Sequence, residues 1–373
     1  MDEDRDWAAV LGVRSAEVDS VLAAFEESVF EGRRYRHLSA ARHGIERGTA
    51  IVDGTVIRGF PSIPRTLVLD PGIAEHFDGR VTIEEKRNGY NVRVARIDGD
   101  VLGFTRSGYI CPYTTNKVQE LLDPDSVFDA NPELMLCGEL IGPENPYTPH
   151  EYPTVESAAF EVFDVRDRET GRPLAVDHRR DLCARHGLAT VPAFGECDPA
   201  EAAEAVREVI ADLDQAGKEG VVLQSMDGTR QLKYTTSATH RADLEHAFSL
   251  PFDYGRDFVF PRVLREVFQA VELDRTKGES RQRAQELGES ILLPAVETVR
   301  AVERGETVGE EHTVRDDPAV IDALLSHLQE MGIKLEIQQD RDENGERVVS
   351  FVKVSQSTRD NVENYLDGQV IDE

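Results

Sequence analysis

The most informative stretch of the sequence is Glu84-Glu85-Lys86-Arg87-Asn88-Gly89-Tyr90-Asn91-Val92-Arg93. The chain has 42 basic residues, of which seven are lysines and the other 35 are arginines. Arginine stays protonated in proteins, whereas lysine can lose its proton and act as an amine nucleophile. Lys86 is therefore a candidate for chemistry that only an amine performs, as are the lysines of Lys218-Glu219-Gly220-Val221 and Gln231-Leu232-Lys233-Tyr234.

The sequence around this stretch is rich in strand patterns from residue 61 to about residue 239. Period-two alternation and the turn pairs Asp98-Gly99 and Asp227-Gly228 predict strands at 80–85, 90–97, 102–106, 134–141, 159–165, 221–224 and 231–234. A helix is expected near 198–216. Upstream, the spacing of apolar residues predicts helix over 6–30, followed by short strands at 35–38 and 50–57. Downstream, helices are expected at 243–248, 260–272 and 280–304, and then a small unit with helices at 318–331 and 358–366 and strands at 333–338 and 347–354.

The composition bounds the kind of protein. The chain has 373 residues, a formal net charge of −29 and many more arginines than lysines. Acidic residues spread along every segment indicate a surface adapted to a very salty cytoplasm, as in halophilic archaea. At about 1 M salt the screening length falls to roughly 3 Å, so like charges hardly repel each other at a distance. Binding of a polyanion would then depend on a local basic groove. The alternative is an ordinary acidic mesophilic protein.

Several classes of protein are not indicated. The four cysteines form no CxxC pair and have no histidine at metal-ligand spacing, which argues against a zinc site or a disulfide framework. No apolar run approaches 18 residues, and the first residues, Met1-Asp2-Glu3-Asp4, are acidic and unlike a signal sequence. We therefore expect a soluble, cytoplasmic protein without membrane association.

Strand alternation predicts a polar pocket. Within the strand at 90–97, Asn91 and Arg93 share one face, and Val92 and Val94 share the other. Charged or aromatic residues also interrupt the neighbouring strands, and a nucleotide site would collect them: Arg106, Glu139, Glu161, Phe163, Gln231 and Lys233. Each has an ordinary alternative. Arg106 can be a strand-end arginine, Phe163 a core residue, and Glu219 with Lys233 a cross-strand ion pair.

The order of these residues resembles the covalent nucleotidyltransferases, the superfamily of ATP-dependent DNA and RNA ligases and mRNA capping enzymes. The motifs that carry the resemblance are Lys86-Arg87-Asn88-Gly89, Cys137-Gly138-Glu139-Leu140, Phe160-Glu161-Val162-Phe163-Asp164, Lys218-Glu219-Gly220-Val221-Val222 and Leu232-Lys233-Tyr234. The stretch 85–93 and the sequence Gly138-Glu139-Leu140-Ile141-Gly142-Pro143-Glu144-Asn145 look most like the archaeal homodimeric ATP-dependent RNA ligases.

The resemblance implies a role for each site residue. Lys86 would be the nucleophile that attacks the α-phosphorus of ATP, Glu139 would contact the ribose, and Phe163 would stack on the base. Glu219 would support Mg²⁺ or Mn²⁺, and Lys233 would reach the α-phosphate. The remaining predicted contacts of the nucleotide site are Glu85, Asn91, Arg93 and Arg106.

The resemblance also implies an architecture and partners. We expect an α+β fold with a central antiparallel-sheet nucleotidyltransferase domain (61–239). A small N-terminal module (1–60), a helical dimerisation domain (240–315) and a C-terminal α/β module (316–373) would flank it. The partners would be RNA with 5′-phosphate and 3′-hydroxyl ends, joined between molecules or into circles, and a second copy of the chain.

Two alternatives and one departure from the family pattern stay open. A DNA ligase or a capping-type guanylyltransferase would usually continue into an OB barrel after the fifth motif, whereas helices are expected here. A non-catalytic RNA-binding protein would be expected to lack the motif lysines and glutamates. The fifth motif is usually Lys-x-Lys, but Gln231 stands at its first lysine, and alternation turns Arg230 to the opposite face.

Overall fold

The computed structural model describes residues 5–370, so the acidic stretch Met1–Asp4 lies outside the described residues. The described chain is an α+β fold with four antiparallel sheets. In sheet order, the first holds β1 (Glu26–Phe30), β2 (Arg33–His37), β3 (Ala50–Val52) and β4 (Thr55–Ile57). The second holds β10 (Ala193–Cys197), β5 (Val81–Lys86), β11 (Gly220–Ser225) and β12 (Gln231–Thr235). The third holds β7 (Asp100–Thr105), β6 (Tyr90–Ile97), β8 (Leu134–Ile141) and β9 (Ala159–Asp167). The last holds β13 (Gly309–Asp316), β15 (Glu346–Val354) and β14 (Leu335–Glu343).

Helices cover the outer faces of these sheets. The helices that precede strand β11 are α1 (Trp7–Leu11), α2 (Val18–Leu22), α3 (Leu69–His76), α4 (Pro112–Leu121), α5 (Pro124–Phe128), α6 (Val176–Arg185) and α7 (Pro199–Gln215). The later ones are α8 (Ser237–Ser249), α9 (Arg256–Glu272), α10 (Lys277–Glu303), α11 (Pro318–Glu330) and α12 (Gln356–Leu366). None of the helices within residues 5–370 combines the length and apolar character needed to cross a bilayer.

Two of the sheets form the middle of the molecule, and each has its own core. One core packs apolar side chains of β5, β11 and β12 against α3 and α7, including Ile73, Val206 and Val221. The other packs β6, β8 and β9 against α4, α5 and α6. The strand β8 is central in its sheet, which explains why its sequence is almost entirely apolar. Residues 87–89 connect β5 to β6 and so join the two sheets.

The N-terminal part differs from its sequence prediction. Helix was expected throughout residues 6–30, but only α1, α2 and a short 3₁₀ turn (Ser15–Glu17) are helical, and Glu26–Phe30 is a strand. Apolar residues at helical spacing, among them Trp7, Val21 and Phe25, do form one buried cluster. The prediction was wrong over β1 because that strand pairs with β2, a contact that local periodicity does not contain.

The C-terminal part consists of three helices followed by a small α/β unit. Helices α9 and α10 both pack against α8. The sheet of β13, β14 and β15 packs with α11 against the nucleotide-domain helix α4, around Tyr113, Leu324 and Phe351. The strand β13 was not expected from the sequence, nor were helices α3 to α6 or strand β10.

Candidate active site

A cleft of about 270 Å³ lies between the two central sheets. Its walls include seven of the predicted site residues: Glu85, Lys86, Asn91, Arg106, Glu139, Phe163 and Lys233. They come from β5, β6, β8, β9 and β12, and from the turn after β7. Side chains that are distant in the sequence thus meet because the ends of two sheets face each other.

Lys86 is the last residue of β5, and the turn after it needs a glycine. A Cβ atom on Gly89 would lie 2.4 Å from the carbonyl oxygen of Leu140, closer than a side chain allows. The turn is further held by Tyr152, whose hydroxyl accepts from the Asn88 amide at 2.7 Å. The Lys-x-x-Gly spacing therefore reflects a backbone that must pass tightly over β8 to present the lysine.

The nucleophile candidate is held as a paired ammonium. Lys86 Nζ donates to Glu219 Oε2 at 2.7 Å, and the side chains remain 24% and 15% exposed. They meet because Lys86 lies opposite Gly220 in the register of β5 and β11. Burial would lower the pKa of Lys86, but Glu219 and Glu139 raise it above its ordinary value. The alternative of a cross-strand pair between Glu219 and Lys233 is not found, since Glu219 pairs with Lys86 instead.

Glu139 and Asn91 form a polar edge of the cleft. They lie directly opposite each other in β8 and β6. Burial raises the pKa of Glu139 to about 7, although Lys86 opposes the shift. The side-chain oxygen of Asn91 is buried and has no hydrogen-bond partner among the described residues. An unpaired buried acceptor is costly, so this edge suits a ligand that brings hydroxyl donors, such as a ribose.

The apolar part of the cleft is walled by aromatic rings. The ring of Phe163 lies edge-on to that of Phe60, with centroids 5.1 Å apart. Val191, Val222 and Ile63 line the same region. A planar base inserted here would find an aromatic face and aliphatic neighbours, an arrangement that favours stacking.

Two charged residues of the cleft wall, Glu85 and Arg87, belong to a network of ion pairs. Glu85 accepts from Arg87 Nη1 at 2.6 Å and from Lys218 Nζ at 2.9 Å. Arg87 also donates to both oxygens of Glu161, at 2.6 and 2.8 Å. Glu85 lines the cleft, but its carboxylate is already occupied by these cations. Lys218, the third informative lysine, thus serves to hold Glu85.

The structure corrects the prediction for Arg93. Its side chain is fully buried and does not line the cleft. The guanidinium donates to the carbonyls of Arg58 at 2.6 Å, Gly48 at 2.9 Å and Thr105 at 2.9 Å. It therefore joins the N-terminal module to the nucleotide domain. Alternation predicted the face of Arg93 but not that the N-terminal module covers that face.

The fifth motif brings one lysine to the cleft. Lys233 and Gln231 both line it, and burial with nearby Arg65 and Lys86 lowers the pKa of Lys233 to about 8. Gln231 Nε2 lies 3.4 Å from Asp164 Oδ2. Arg230 points away, pairing with Asp78 at 2.7 Å, so it does not replace the missing motif lysine.

Sequence reasoning missed several residues of this site. Phe60 and Ile63 come from a segment without periodicity, and Arg65 follows them; no pattern marked any of the three. Tyr152 and His150 belong to the loop after β8, and the Asn88 side chain lies 3.4 Å from His150 Nδ1. Only the tertiary fold brings these segments to the lysine turn.

The carboxylates near Lys86 offer a divalent ion only part of a ligand shell. Within residues 5–370 no group of three or more His, Cys, Asp or Glu residues could enclose a metal ion. Mg²⁺ usually takes one or two carboxylates and completes its shell with water and substrate phosphates. Glu219 can supply such a carboxylate once its bond to Lys86 is exchanged.

The chain resembles known ligases over nearly its whole length. The family model described as RNA ligase matches residues 79–236, and that of the ligase Pab1020 C-terminal region matches residues 246–369. An archaeal ATP-dependent RNA ligase, solved in two forms, superposes with a TM-score of 0.92 at 40% identity, covering 99% of this chain and 100% of that one. A protein of Aquifex aeolicus, provisionally named an ATP-dependent DNA ligase, gives 0.89 at 25% identity over 96% of this chain and 100% of its own. The uncharacterized protein MJ0414 of Methanocaldococcus jannaschii is 41% identical over 338 residues, 87% of this chain and 85% of that protein.

Fold and cleft together define a nucleotidyltransferase of the ligase type, with a lysine at the end of a strand in the wall of a cleft of polar and aromatic side chains. The agreement in sequence and fold extends through the C-terminal region that Pab1020-type ligases share. The chain belongs to the RNA ligase family, in the archaeal ATP-dependent branch with a Pab1020-type C-terminal region.

Proposed function

We propose that the protein joins RNA ends in an ATP-dependent reaction, with Lys86 as the residue that becomes covalently bound to AMP. The observation that carries the proposal is Lys86 in the wall of the aromatic cleft, 2.7 Å from Glu219 and near Lys233, whose amine has no side-chain partner within residues 5–370. The RNA ligase named among the similar structures supports RNA as the substrate class.

The first step forms a bond between Lys86 Nζ and the α-phosphorus of ATP. The bond from that phosphorus to the bridging oxygen breaks, and pyrophosphate leaves with the electron pair. Lys86 must first lose a proton, which passes to water when Glu219 Oε2, its hydrogen-bond partner in the structure, takes another cation. An in-line displacement of this kind depends mainly on positioning and on cations around the phosphates.

A divalent cation, proposed to be Mg²⁺ or Mn²⁺, would be held by Glu219 and would neutralise charge on the phosphates. Glu219 cannot serve Lys86 and a metal equally. Occupation of its carboxylate would therefore weaken the interaction that raises the pKa of Lys86 and favour the neutral amine.

The later steps follow from the same site. AMP passes from Lys86 to the 5′-phosphate of RNA, and a 3′-hydroxyl then attacks that activated end and releases AMP. Joining between two molecules and circularisation of one use the same chemistry, so both belong to the proposal.

Labelling with α-³²P ATP tests the nucleophile. In molar KCl with Mg²⁺, the wild-type chain should keep the label after denaturation, and Lys86→Arg and Lys86→Ala should not. Arginine preserves the charge but offers no usable lone pair. Lys218→Arg is the matched control, because its ion pair with Glu85 needs only charge, and it should still be labelled. Appreciable label on either Lys86 variant would contradict the assignment.

The nature of the ends is tested separately. A second candidate function, sealing of DNA ends, is suggested by the Aquifex aeolicus protein. With equal 5′-phosphate and 3′-hydroxyl ends, single-stranded RNA should be joined faster than nicked duplex DNA. Equal or faster sealing of DNA would contradict RNA as the preferred substrate and favour a DNA ligase.

We also propose a symmetric homodimer in a salty cytoplasm. Helix α9 exposes Val267, Phe268 and Val271, and α10 exposes Leu292 and Leu293. Exposed apolar groups of this extent favour a partner surface, and a two-fold interface is the commonest arrangement for identical chains. The net charge of −29 supports a high-salt environment.

A further inference from the structure

Two arginines near the cleft, Arg65 and Arg265, lie outside the family motifs and form a basic group with Lys233 of the fifth motif. Arg65 and Lys233 are neighbours across a parallel bridge, in which the Lys233 amide donates to the Pro64 carbonyl at 2.9 Å. Arg265, from helix α9, lines a small cavity together with Arg65. The group therefore joins the nucleotide domain to the helical domain.

These cations lack acidic partners of their own. Within residues 5–370, Arg265 and Lys233 have no side-chain hydrogen bond or ion pair, and the Arg65 guanidinium donates to the hydroxyl of Thr235. The nearest carboxylates are engaged elsewhere. Glu219 accepts from Lys86, and Asp243 pairs with Arg262 at 2.8 Å.

Burial and neighbouring positive charges lower the pKa of both arginines. Burial and nearby Arg265 lower the pKa of Arg65 to about 10, and burial with Arg262 lowers the pKa of Arg265. In a chain with a net charge of −29, positive charge left uncompensated at one site favours an anionic ligand.

The reaction proposed above needs a phosphate in one particular place. In the first step the pyrophosphate must leave from the side of the α-phosphorus opposite Lys86, because the displacement is in line. In the second step an oxygen of the 5′-phosphate must approach from that same side. The bond between phosphorus and Lys86 then breaks, and its electron pair returns to Nζ, which takes up a proton from water.

We propose that Arg65 and Arg265, beside the α-phosphate contact expected of Lys233, form a phosphate site that holds the pyrophosphate portion of ATP first and the 5′-phosphate of the RNA afterwards. This inference rests on the proposed function for its sequence of occupants. Arg65 would also supply the phosphate contact that the motif loses at Gln231.

The test uses Arg265→Met, a change that removes no hydrogen bond of the folded chain. Arg256→Met is the matched control, because Arg256 is an exposed arginine on the same helix. Loss of one charge-assisted contact is worth about tenfold in affinity. For Arg265→Met we expect about that loss in binding of inorganic pyrophosphate, measured by calorimetry, with adenosine binding unchanged.

Two kinetic measurements test separately whether the site binds ATP and whether it binds the 5′-phosphate of RNA. The KM for ATP in adenylation should rise about tenfold. Transfer of AMP from isolated, pre-labelled enzyme to 5′-phosphorylated RNA should slow by a similar factor at subsaturating RNA. Arg265→Lys should restore part of each loss.

The results that would overturn the inference are distinct. Unchanged pyrophosphate binding, or an equal loss in Arg256→Met, excludes the site. A defect confined to ATP, or to RNA, excludes its use by both. Pyrophosphate binding requires no catalysis, so failure of the proposed function would appear instead as wild-type enzyme that forms no adduct with ATP.

Discussion

Lys86 is an ammonium in an ion pair, although the chemistry proposed for it requires a free amine. Leaving an ordinary lysine neutral near pH 7 costs about 4.6 kcal/mol, and Glu219 and Glu139 add to that cost. The same pairing protects the lysine from reaction until the carboxylates have other partners. We therefore expect the protonation of Lys86 to depend on which cation Glu219 binds and which donors Glu139 accepts from.

Glu139 should make nucleoside binding depend on pH near neutrality. Its pKa is raised to about 7, so the carboxyl is largely protonated below that pH and ionised above it. A carboxylate accepts a ribose hydroxyl more strongly than a carboxylic acid, so adenosine affinity should rise by about fivefold from pH 6 to pH 8. Adenosine is the suitable ligand because it lacks the phosphates that are proposed to contact Lys233, whose pKa is lowered to about 8.

The matched variant is Glu139→Gln, which keeps the shape of the side chain but does not titrate. Its adenosine affinity should be lower than that of the wild type at pH 8 and should not change with pH. The measurement is calorimetric titration at constant KCl. A variant that keeps the wild-type pH dependence would show that another group is responsible.

At the scale of elements, the central strands could be predicted well from the sequence. The predicted bounds of β6 and β8 agree with the structure residue for residue, because alternation and burial are local signals. Lys86, Lys233 and Glu139 were expected in one pocket and line one cleft, although their strands β5, β12 and β8 do not pair with one another. The prediction failed where a distant segment covers a face, as at Arg93, or comes from a loop, as at Phe60 and Arg65.

Arg93 should contribute to stability because it joins three segments. Arg93→Met leaves the carbonyls of Arg58, Gly48 and Thr105 buried without this donor, and we expect a loss of about 3–5 kcal/mol in the free energy of unfolding. Arg96→Met on the same strand is the control. Its partners Asp125 and Asp129 are exposed, so its loss should stay within about 1 kcal/mol.

Denaturant unfolding in molar KCl measures both variants. Since salt screens exposed pairs more than buried ones, the Arg96 effect should shrink as KCl is raised, while the Arg93 effect should persist. Equal losses in the two variants would mean that Arg93 does not hold the N-terminal module in place.

At the scale of the whole molecule, we expect the acidic surface and the basic site to have different roles. The overall charge of −29 suits solvation in concentrated salt, whereas the cations around Lys86 act at short range, where screening by salt is weakest. The net charge therefore says little about affinity for nucleic acid. The sequence could predict the need for a local basic groove, but its members Arg65 and Arg265 come from different domains and became evident only in the fold.

The apolar surface of the helical domain should make the protein a dimer. The sequence predicted an apolar stripe on this domain: Val263, Leu264, Val267, Phe268, Val271, Ile291, Leu292, Leu293 and Val296. In the structure, Val263, Leu264, Ile291 and Val296 are half-buried within the chain, whereas Val271 is 78% and Leu292 64% exposed. Intramolecular packing thus accounts for only part of the stripe. High salt strengthens apolar contacts and screens acidic repulsion, so both effects favour association.

Light scattering in molar KCl should report roughly twice the chain mass of 41.6 kDa, with partial dissociation at low salt. The double variant Leu292→Glu and Leu293→Glu should be monomeric under the same conditions, because it places charge on an apolar interface. Val29→Glu is the matched control, since Val29 is also exposed, at 59%, but lies on β1 of the N-terminal module. A monomeric mass for the wild type at every salt concentration would exclude the dimer, and a dimeric double variant would move the interface away from α10.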